Sequence, residues 1–296
     1  RTQTDSCPMK PIPIAWRNYI ALTRLDRPIG IYLLLWPTLW ALWIAAEGWP
    51  GWHLFLVFTI GTILTRSAGC VLNDMTDKKF DGHVTRTKDR VLANGQVDKL
   101  EATTIAGGLT ILALLLVLTT NLLTVGLAAV AALVTVIYPF MKRVTYLPQV
   151  VLGIAFSMGM PMAFSAFKGA IDNVVWLLVT ANLLWVVAYD TQYAMVDRED
   201  DLKLGLKSSA ILFGDLDRHM IGLLQTMFLT ILVLAGQQLS FSFWYFFSLV
   251  IATMLFFYQH YLTWNRSRDR CFTAFLNNHW IGLVVFTGIA SNYILD

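Results

Sequence analysis

Nine long apolar segments constrain what this chain can fold into more than any other feature of its sequence. Each has 17 to 22 mostly apolar residues, close to the roughly 20 that a helix needs to cross a bilayer. A barrel strand would be about half as long, and a connection as short as residues 120–121 requires adjacent antiparallel helices. The sequence predicts an all-α integral membrane protein whose nine transmembrane helices form a bundle. The predicted spans are 29–46, 53–72, 101–119, 122–140, 147–167, 174–193, 219–238, 242–263 and 279–295.

The composition supports the membrane class and excludes several functions. Hydrophobic residues make up 56% of the chain and charged residues only 14%, whereas an average soluble domain has about 25% charged residues. The net charge of +3 is too small to indicate a nucleic-acid partner. The three cysteines and five histidines lack the spacing of a disulfide framework or a zinc site. We expect the whole chain, residues 1–296, to form a single transmembrane domain.

The basic residues are distributed very unevenly around the predicted spans. With nine spans, the N-terminal segment 1–28 and the loops after every second span lie on one side of the membrane. That side holds all 22 Lys and Arg residues except Lys168, and the positive-inside rule makes it cytoplasmic. Most carboxylates share this side, since only Glu47, Asp172 and Asp296 lie opposite. Polar chemistry is therefore expected at the cytoplasmic face.

A first acidic cluster, NDMTDKKFD at residues 73–81, directly follows the second span. Asn73, Asp77 and Asp81 are spaced i, i+4 and i+8, so a helix would place them in one stripe. Asp74 would point elsewhere. Carboxylates this close repel one another unless a cation lies between them. The stripe therefore predicts one part of a metal site.

A second acidic cluster, YDTQYAMVDREDD at residues 189–201, follows the sixth span. Asp190, Asp197 and Asp201 lie within roughly 40° of one another if the helix continues, whereas Asp200 points elsewhere. Both clusters emerge on the same membrane face, so the bundle can bring them together across one cavity. Hard oxygen ligands suit Mg²⁺, which commonly bridges a few carboxylates to substrate phosphates. The alternative is that both clusters are solvated loop charges.

Basic residues near the same face could complete the binding of a diphosphate, since Arg and Lys bind phosphoryl oxygens well. Arg66 lies within an apolar segment, where a charge is costly and usually faces a polar cavity. Arg143 belongs to a tight connection, YPFMKR, and could instead bind a substrate carboxylate. For about half of these residues the alternative role is only to set the topology. The candidates are Arg66, Lys78, Arg86, Arg90, Lys142, Arg143, Lys203 and Lys207.

Aromatic residues and one long loop complete the predicted site. Tyr189 and its aromatic neighbours could present a π face to a carbocation, although tyrosines are also common at membrane interfaces for other reasons. Residues 82–99 form a long cytoplasmic loop with glycines and many charges, which predicts a lid. In the fifth span, Pro161 predicts a kink, and the small residues beside it allow close helix packing.

Four motifs resemble those of the UbiA-type aromatic prenyltransferases: NDMTDKKFDGH, YPFMKR, YDTQYAMVDREDD and KSSAILFG. The resemblance begins near TRLDRPIGIYLLLWPTLWAL, residues 23–42, and continues to the C-terminus. It is strongest to bacterial members that act on 4-hydroxybenzoate. The resemblance implies nine helices around a cytoplasm-facing active-site cavity, the cofactor Mg²⁺, and a location in the lipid bilayer of the bacterial inner membrane.

The same resemblance implies a reaction and a role for each site residue. Polyprenyl diphosphate would donate its polyprenyl group to the ring carbon ortho to the hydroxyl of 4-hydroxybenzoate, in ubiquinone biosynthesis. Asp190 is expected to withdraw the phenol proton, and Arg143 is expected to bind the benzoate carboxylate. The expected metal ligands are Asn73, Asp77, Asp81, Asp197 and Asp201. The expected substrate-binding residues are Arg66, Lys142, Arg143, Lys207 and Tyr189.

Three other classes of protein share some of these features. A transporter would also cluster ionisable residues, but it would place some of them near mid-span, often in broken helices. A soluble-type isoprenyl chain synthase shares paired aspartate motifs, but it would not need nine lipid-length spans. A sister enzyme that uses homogentisate, dihydroxynaphthoate or a porphyrin alcohol as acceptor would share the same Mg²⁺ chemistry.

Overall fold

Helices form all the regular structure in the described part of this protein. The computed structural model describes residues 14–81, 87 and 89–295, leaving aside the side chains of 14–15 and 79–81. The helices are α1 (Ile14–Leu22), α2 (Ile29–Ala46), α3 (Trp52–Asp81), α4 (Lys99–Val117), α5 (Leu122–Met141), α6 (Pro148–Ser157), α7 (Gly159–Lys168), α8 (Val174–Leu204), α9 (Ser209–Phe213), α10 (Asp217–Gln238), α11 (Phe243–Leu262) and α12 (Arg268–Leu295).

The nine predicted spans are confirmed within the described residues. Nine helical segments there are long and apolar enough to cross a membrane, and they follow the predicted order. Seven of them are essentially single helices, while the fifth span combines α6 with α7 and the seventh combines α9 with α10. The chain is therefore a multi-pass membrane protein built from a helical bundle.

The predicted ends of the second, sixth and ninth spans are wrong. Helix α3 continues to Asp81, α8 continues to Leu204, and α12 begins at Arg268, eleven residues earlier than predicted. The prediction followed apolarity, but a helix needs only its own backbone hydrogen bonds to continue into water. Helix α8 stops at Gly205, whose φ of +68° is the left-handed conformation that ends many helices. The extensions of α3 and α8 are the parts that carry the acidic clusters.

The fifth span is interrupted near the position where a kink was predicted. Helix α6 ends at Ser157 and α7 begins at Gly159. Pro161 has no backbone N–H to bond the carbonyl of Ser157, four residues earlier, so the helical hydrogen bonding is interrupted at this turn. Thr38 of α2 packs directly on Gly159 and leaves no room for a Cβ atom. The interruption and the glycine together allow α2 to approach the middle of this span.

Helices α2 and α8 form the centre of the bundle. Helix α8 packs against α6, α10 and α12, and α2 packs against α3, α7 and α12. The rings of Trp40, Trp185 and Phe228 are fully buried. The three rings contact one another, with centroid distances of 5.5 Å for Trp40–Trp185, 5.6 Å for Trp185–Phe228 and 6.4 Å for Trp40–Phe228. Because helix association in lipid depends on close packing, this aromatic cluster fixes α8 against α2 and α10.

A chain of buried amides fixes the rotation of α8 about its axis. Asn278 accepts a hydrogen bond from Trp185 Nε1 at 3.0 Å and donates one to Gln192 at 2.9 Å. Gln192 and Gln225 both donate to Oε1 of Gln259, each at 3.0 Å. An amide left without a partner inside the bundle costs free energy, so other rotations of α8 are disfavoured. This rotation decides which residues of α8 face the site.

Replacing Gly282 by alanine is expected to lower the free energy of unfolding by about 1–3 kcal/mol, the usual cost of overpacking. A Cβ atom there would lie 2.5 Å from Trp36 Cδ1 and 2.9 Å from Trp36 Cβ. The Gly282 carbonyl also accepts a hydrogen bond from Trp40 Nε1 at 2.9 Å. Thermal unfolding in detergent measures the effect. Gly108→Ala is the matched control, because nothing lies within 4 Å of its Cβ position, and an equal loss in both variants would contradict the prediction.

Candidate active site

One cavity brings the two acidic clusters together. Its volume is about 1630 Å³, larger than the roughly 300–1,000 Å³ of ordinary small-molecule pockets, so it has room for a long ligand. The side chain of Asp81 lies outside the described residues, although its backbone continues α3. The predicted site residues that line the cavity are Arg66, Asn73, Asp77, Lys142, Tyr189, Asp190, Asp197, Asp201 and Lys207.

Asp77 is the central residue of the first cluster. Asn73 Nδ2 donates to Asp77 Oδ2 at 3.3 Å, so the two side chains share one side of α3 as their spacing predicts. Lys142 Nζ donates to the same oxygen at 2.5 Å. The other oxygen, Oδ1, is buried and has no hydrogen-bond partner within the described residues. A buried carboxylate oxygen in this state costs free energy until a cation or a donor reaches it.

Asp74, three residues before Asp77 in the first cluster, is bound by two arginines. Its side chain is 3% exposed. Arg24 Nη2 donates to both carboxylate oxygens, at 2.8 and 3.1 Å, and Arg90 Nη1 lies 2.9 Å from Oδ1. Arg24 and Arg90 also line the cavity. Both oxygens of Asp74 are therefore bound by arginine, whereas Asp77 has a cation hydrogen-bonded to Oδ2 but no hydrogen-bond partner at Oδ1 within the described residues.

The second cluster lies on the uninterrupted helix α8. The predicted spacing of Asp190, Asp197 and Asp201 therefore applies, and all three line the cavity. Asp197 is 8% exposed. Asp200 lies away from the cavity lining, where Arg268 Nη1 donates to its Oδ2 at 3.2 Å. The rotation of α8 that the buried amides fix thus turns these three aspartates toward the cavity.

The oxygen groups around the cavity suit a divalent cation such as Mg²⁺. They supply hard carboxylate and amide oxygens, and Asp77 Oδ1 is buried without a hydrogen-bond partner within the described residues. No three His, Cys, Asp or Glu side chains of the described residues are close enough to hold a metal alone. Such an arrangement fits a cation that completes its coordination with substrate phosphate oxygens and water, as Mg²⁺ commonly does.

Arg66 places a positive charge deep in the bundle, near the middle of α3. Its guanidinium packs on the backbone of Gly30 and lies 5.5 Å from the ring centroid of Phe156. The Nε atom is buried without a hydrogen-bond partner in the described part of the chain, and so is the hydroxyl of Tyr189. Arg66 lies close enough to the phenol of Tyr138 to interact with it electrostatically. These unmatched donors lie along the cavity and fit an anionic, hydrogen-bonding ligand.

Arg143 and Lys207 differ in their position relative to the cavity. Arg143 is not among the described residues that line the cavity. Its Nη2 donates to the Thr76 carbonyl at 3.0 Å and lies 4.0 Å from Asp77 Oδ1. Lys207 does line the cavity, and its Nζ donates to the Val144 carbonyl at 3.1 Å. Arg143 therefore supports the first acidic cluster from outside the cavity, and its expected contact with a carboxylate stays a prediction.

The described part of the predicted lid packs against α1, α3 and α4. Val91, Leu92 and Val97 are buried with Leu22 of α1 in one apolar cluster. This packing holds Arg90 at the cavity. Residues 82–86 and 88 of the same loop lie outside the described residues. Motion of the loop stays a prediction, while its position beside the cavity agrees with a covering role.

Most of the chain, residues 34–282, matches the model of the UbiA prenyltransferase family. The chain belongs to that family. It is 54% identical over 286 residues to the 4-hydroxybenzoate octaprenyltransferase of Colwellia psychrerythraea, covering 97% of this chain and 100% of that protein. It is 54% identical over 276 residues to the protein of the same name from Aeromonas hydrophila, covering 93% of this chain and 96% of that protein. Prenyl transfer is thus the reaction class of the family and of these relatives.

Two solved structures of the UbiA family share the fold. A homologue from Aeropyrum pernix in its apo form superposes with a TM-score of 0.77 at 21% identity, covering 88% of this chain and 96% of that one. A homologue from Archaeoglobus fulgidus bound to GPP and Mg²⁺ superposes with a TM-score of 0.69 at 14% identity, covering 93% and 99%. The predicted helical membrane fold of this UbiA-family protein is therefore confirmed.

Sequence reasoning missed two contributors to this UbiA-family site. Arg24 reaches Asp74 across 50 positions of the chain, and Arg268 reaches Asp200 across 68. No spacing rule connects residues that far apart, and both arginines look like ordinary topology-setting charges. Tyr138 of the YPFMKR motif, one of the aromatic neighbours that the sequence places near Tyr189, lines the cavity close to Asp190.

Proposed function

We propose that this protein transfers a polyprenyl group from polyprenyl diphosphate to the ring carbon ortho to the hydroxyl of 4-hydroxybenzoate, in ubiquinone biosynthesis. The observation that carries the proposal is a single cavity lined by two acidic clusters and, deep in the bundle, by Arg66. The acidic clusters suit a metal-bound diphosphate, and the buried arginine suits a carboxylate. The names of the relatives make octaprenyl diphosphate the first donor to test.

The acidic clusters form the donor end of the site. Mg²⁺ fits there, and the solved homologue that binds GPP together with Mg²⁺ supports the same requirement for this chain. When bound, the ion supplies Lewis-acid stabilisation of the departing diphosphate. Lys142, Lys207, Arg24 and Arg90 line the same cavity and add positive charge for the phosphoryl oxygens. The residues proposed to hold the ion are Asn73, Asp77, Asp81, Asp197 and Asp201.

Arg66 forms the acceptor end of the site. A forked guanidinium binds a carboxylate through two parallel hydrogen bonds, and the Nε atom of Arg66 is a buried donor without a partner in the described residues. The Tyr189 hydroxyl is in the same state. This geometry favours Arg66 over Arg143 for the carboxylate of 4-hydroxybenzoate, because Arg66 lines the cavity whereas Arg143 lies against Thr76 outside it.

Asp190 is the proposed acceptor of the phenol proton. It lines the cavity on α8, next in sequence to Tyr189 and near Tyr138. Withdrawing that proton raises the electron density at the ortho carbon. A carbon–carbon bond then forms between the ortho ring carbon and the first carbon of the allylic chain. At the same time, the bond between the first allylic carbon and the diphosphate oxygen breaks, and diphosphate leaves. The ring hydrogen leaves as a proton when aromaticity returns, and the neighbouring tyrosine rings offer π faces to the cationic carbon.

The membrane location follows from the same proposal. The donor has a lipid tail, and an apolar bundle allows that tail to remain in the bilayer during the reaction. Both acidic clusters extend from helix ends on the side that carries nearly all Lys and Arg residues. The positive-inside rule supports placing that side in the cytoplasm. We therefore assign the protein to the bacterial inner membrane, with its active site at the cytoplasmic face.

Membranes that contain the protein are expected to prenylate 4-hydroxybenzoate when supplied with Mg²⁺ and labelled octaprenyl diphosphate. Addition of EDTA is expected to remove the activity, because the carboxylates of the donor end then lack their cation. Mass spectrometry of the lipid extract identifies the product, and an acceptor panel with homogentisate and dihydroxynaphthoate identifies the specificity. Prenylation of homogentisate but not of 4-hydroxybenzoate would contradict the acceptor, and full activity in EDTA would contradict the metal.

A further inference from the structure

Each acidic cluster contains one aspartate whose carboxylate is bound by arginine. In the first cluster, Asp74 pairs with Arg24 and Arg90 at 2.8 and 2.9 Å. In the second, Asp200 pairs with Arg268 at 3.2 Å. Arg24, Arg90 and Arg268 all line the cavity. Two independent helices thus repeat one arrangement, in which a buried aspartate holds a guanidinium at the edge of the proposed donor site.

Asp74 binds two arginines that lie outside regular helices, whereas Arg268 begins α12 and also pairs with Glu199 at 2.8 Å. Arg24 lies in the turn between α1 and α2 with a φ of +59°, and Arg90 lies in the loop before α4. Their side chains are 26% and 14% exposed, whereas that of Asp74 is only 3% exposed. A long arginine side chain loses rotamer freedom when it is fixed, and like charges repel. Asp74 offsets both costs by presenting its two oxygens to the two arginines.

We infer that Asp74 is a positioning residue that orients Arg24 and Arg90 toward the diphosphate of the donor, and that Asp200 does the same for Arg268. The inference rests on the proposed function, because it assumes a diphosphate in the cavity. Asp74 acts through the arginines and touches neither the metal nor the reacting carbon. The two aspartates of the NDMTD motif therefore have different roles: Asp77 binds the metal, and Asp74 positions the arginines.

A double-mutant cycle on Asp74 and Arg24 tests this role. The measurement is the Kd of geranyl diphosphate, without acceptor, for the purified full-length protein in detergent with Mg²⁺. Asp74→Asn and Arg24→Gln are each expected to raise this Kd about tenfold. Because the aspartate acts through the arginine, the double variant is expected to raise it little further. The Mg²⁺ concentration for half-maximal binding is expected to stay that of the wild type in Asp74→Asn and to rise in Asp77→Asn.

Several results would overturn the inference. A Kd for Asp74→Asn equal to that of the wild type would do so, and so would a roughly hundredfold effect in the double variant, which indicates independent contacts. A shift in Mg²⁺ dependence matching that of Asp77→Asn would make Asp74 a metal ligand instead. Asp172→Asn is the matched control. Asp172 pairs with Lys168 at 2.8 Å, the same distance as Asp74 and Arg24, but it does not line the cavity. The Kd of geranyl diphosphate for this variant is expected to be unchanged.

The remaining outcomes also give an answer. If Asp74→Asn does not yield folded protein, Arg24→Gln and Arg90→Gln carry the test, because wild-type affinity in both would overturn the inference. Failure of the wild-type protein to bind geranyl diphosphate at all would instead contradict the proposed function. For the second cluster, Asp200→Asn is expected to raise the same Kd about tenfold, and wild-type affinity there would overturn the role of Asp200.

Discussion

Replacing Asp77 by alanine is expected to lower kcat for prenyl transfer about 1,000-fold, which corresponds to about 4 kcal/mol of transition-state stabilisation. Asp77 Oδ1 is buried without a hydrogen-bond partner in the described residues, while Oδ2 accepts from Asn73 and Lys142. The substitution removes a proposed Mg²⁺ ligand and leaves Lys142 without its carboxylate. Initial rates at saturating donor and acceptor, measured over a range of Mg²⁺ concentrations, give kcat.

A matched acidic residue outside the site is the control for Asp77. Asp172 forms an ion pair with Lys168 at 2.8 Å and is 42% exposed at its side chain. Asp172→Ala is expected to leave kcat unchanged, because exposed ion pairs contribute little. A kcat for Asp77→Ala within about tenfold of the wild-type value at high Mg²⁺ would contradict the assignment, since loss of a metal ligand costs more than that.

Replacing Arg66 by leucine is expected to lower kcat/KM for 4-hydroxybenzoate about 100-fold, or about 2.7 kcal/mol. Removing the arginine of a buried arginine–carboxylate pair has an effect of this size because the carboxylate is then left buried without a counter-charge and without water. Methyl 4-hydroxybenzoate lacks the charge, so its kcat/KM is expected to change far less. Arg66→Lys keeps the charge but loses the forked geometry, and an intermediate value is expected. Steady-state kinetics with both acceptors measure the difference.

Arg143 is the control for Arg66, because the sequence alone does not decide which of the two arginines binds the carboxylate of 4-hydroxybenzoate. Arg143 bonds the Thr76 carbonyl and lies 4.0 Å from Asp77, so Arg143→Leu is expected to affect the KM of the donor rather than that of 4-hydroxybenzoate. If Arg143→Leu abolishes the preference for the charged acceptor and Arg66→Leu retains it, the acceptor end of the site has been assigned to the wrong arginine.

The helical spacing in the sequence was sufficient to predict which acidic residues share a face. Asn73 and Asp77 are four positions apart and form a hydrogen bond, and Asp190, Asp197 and Asp201 line the cavity together. Both results follow from the 3.6-residue period of the helix. The nine spans were predictable for a similar reason, because the length and apolarity of a span are local properties of the sequence.

The sequence was insufficient where function depends on contacts between distant segments. Nothing in the sequence around Asp74 indicates that Arg24 and Arg90 converge on it, because one lies in a turn before α2 and the other in a loop after α3. The proposal that Arg66 rather than Arg143 binds the carboxylate depends on which of them lines the cavity, and that is set by the packing of whole helices. Helix ends were misjudged for a third reason, since polar residues can extend a helix beyond the apolar span.

The central claim is that acidic clusters on α3 and α8 form one donor site, and equilibrium binding of geranyl diphosphate in the presence of Mg²⁺ tests it most directly. Asp77→Asn, Asp197→Asn and the double variant are compared with the wild type. If both residues serve one metal-bound diphosphate, either single substitution is expected to weaken binding about as much as the two together. Contradiction would come from wild-type affinity in either single variant, or from two separate binding events that respond to one substitution each.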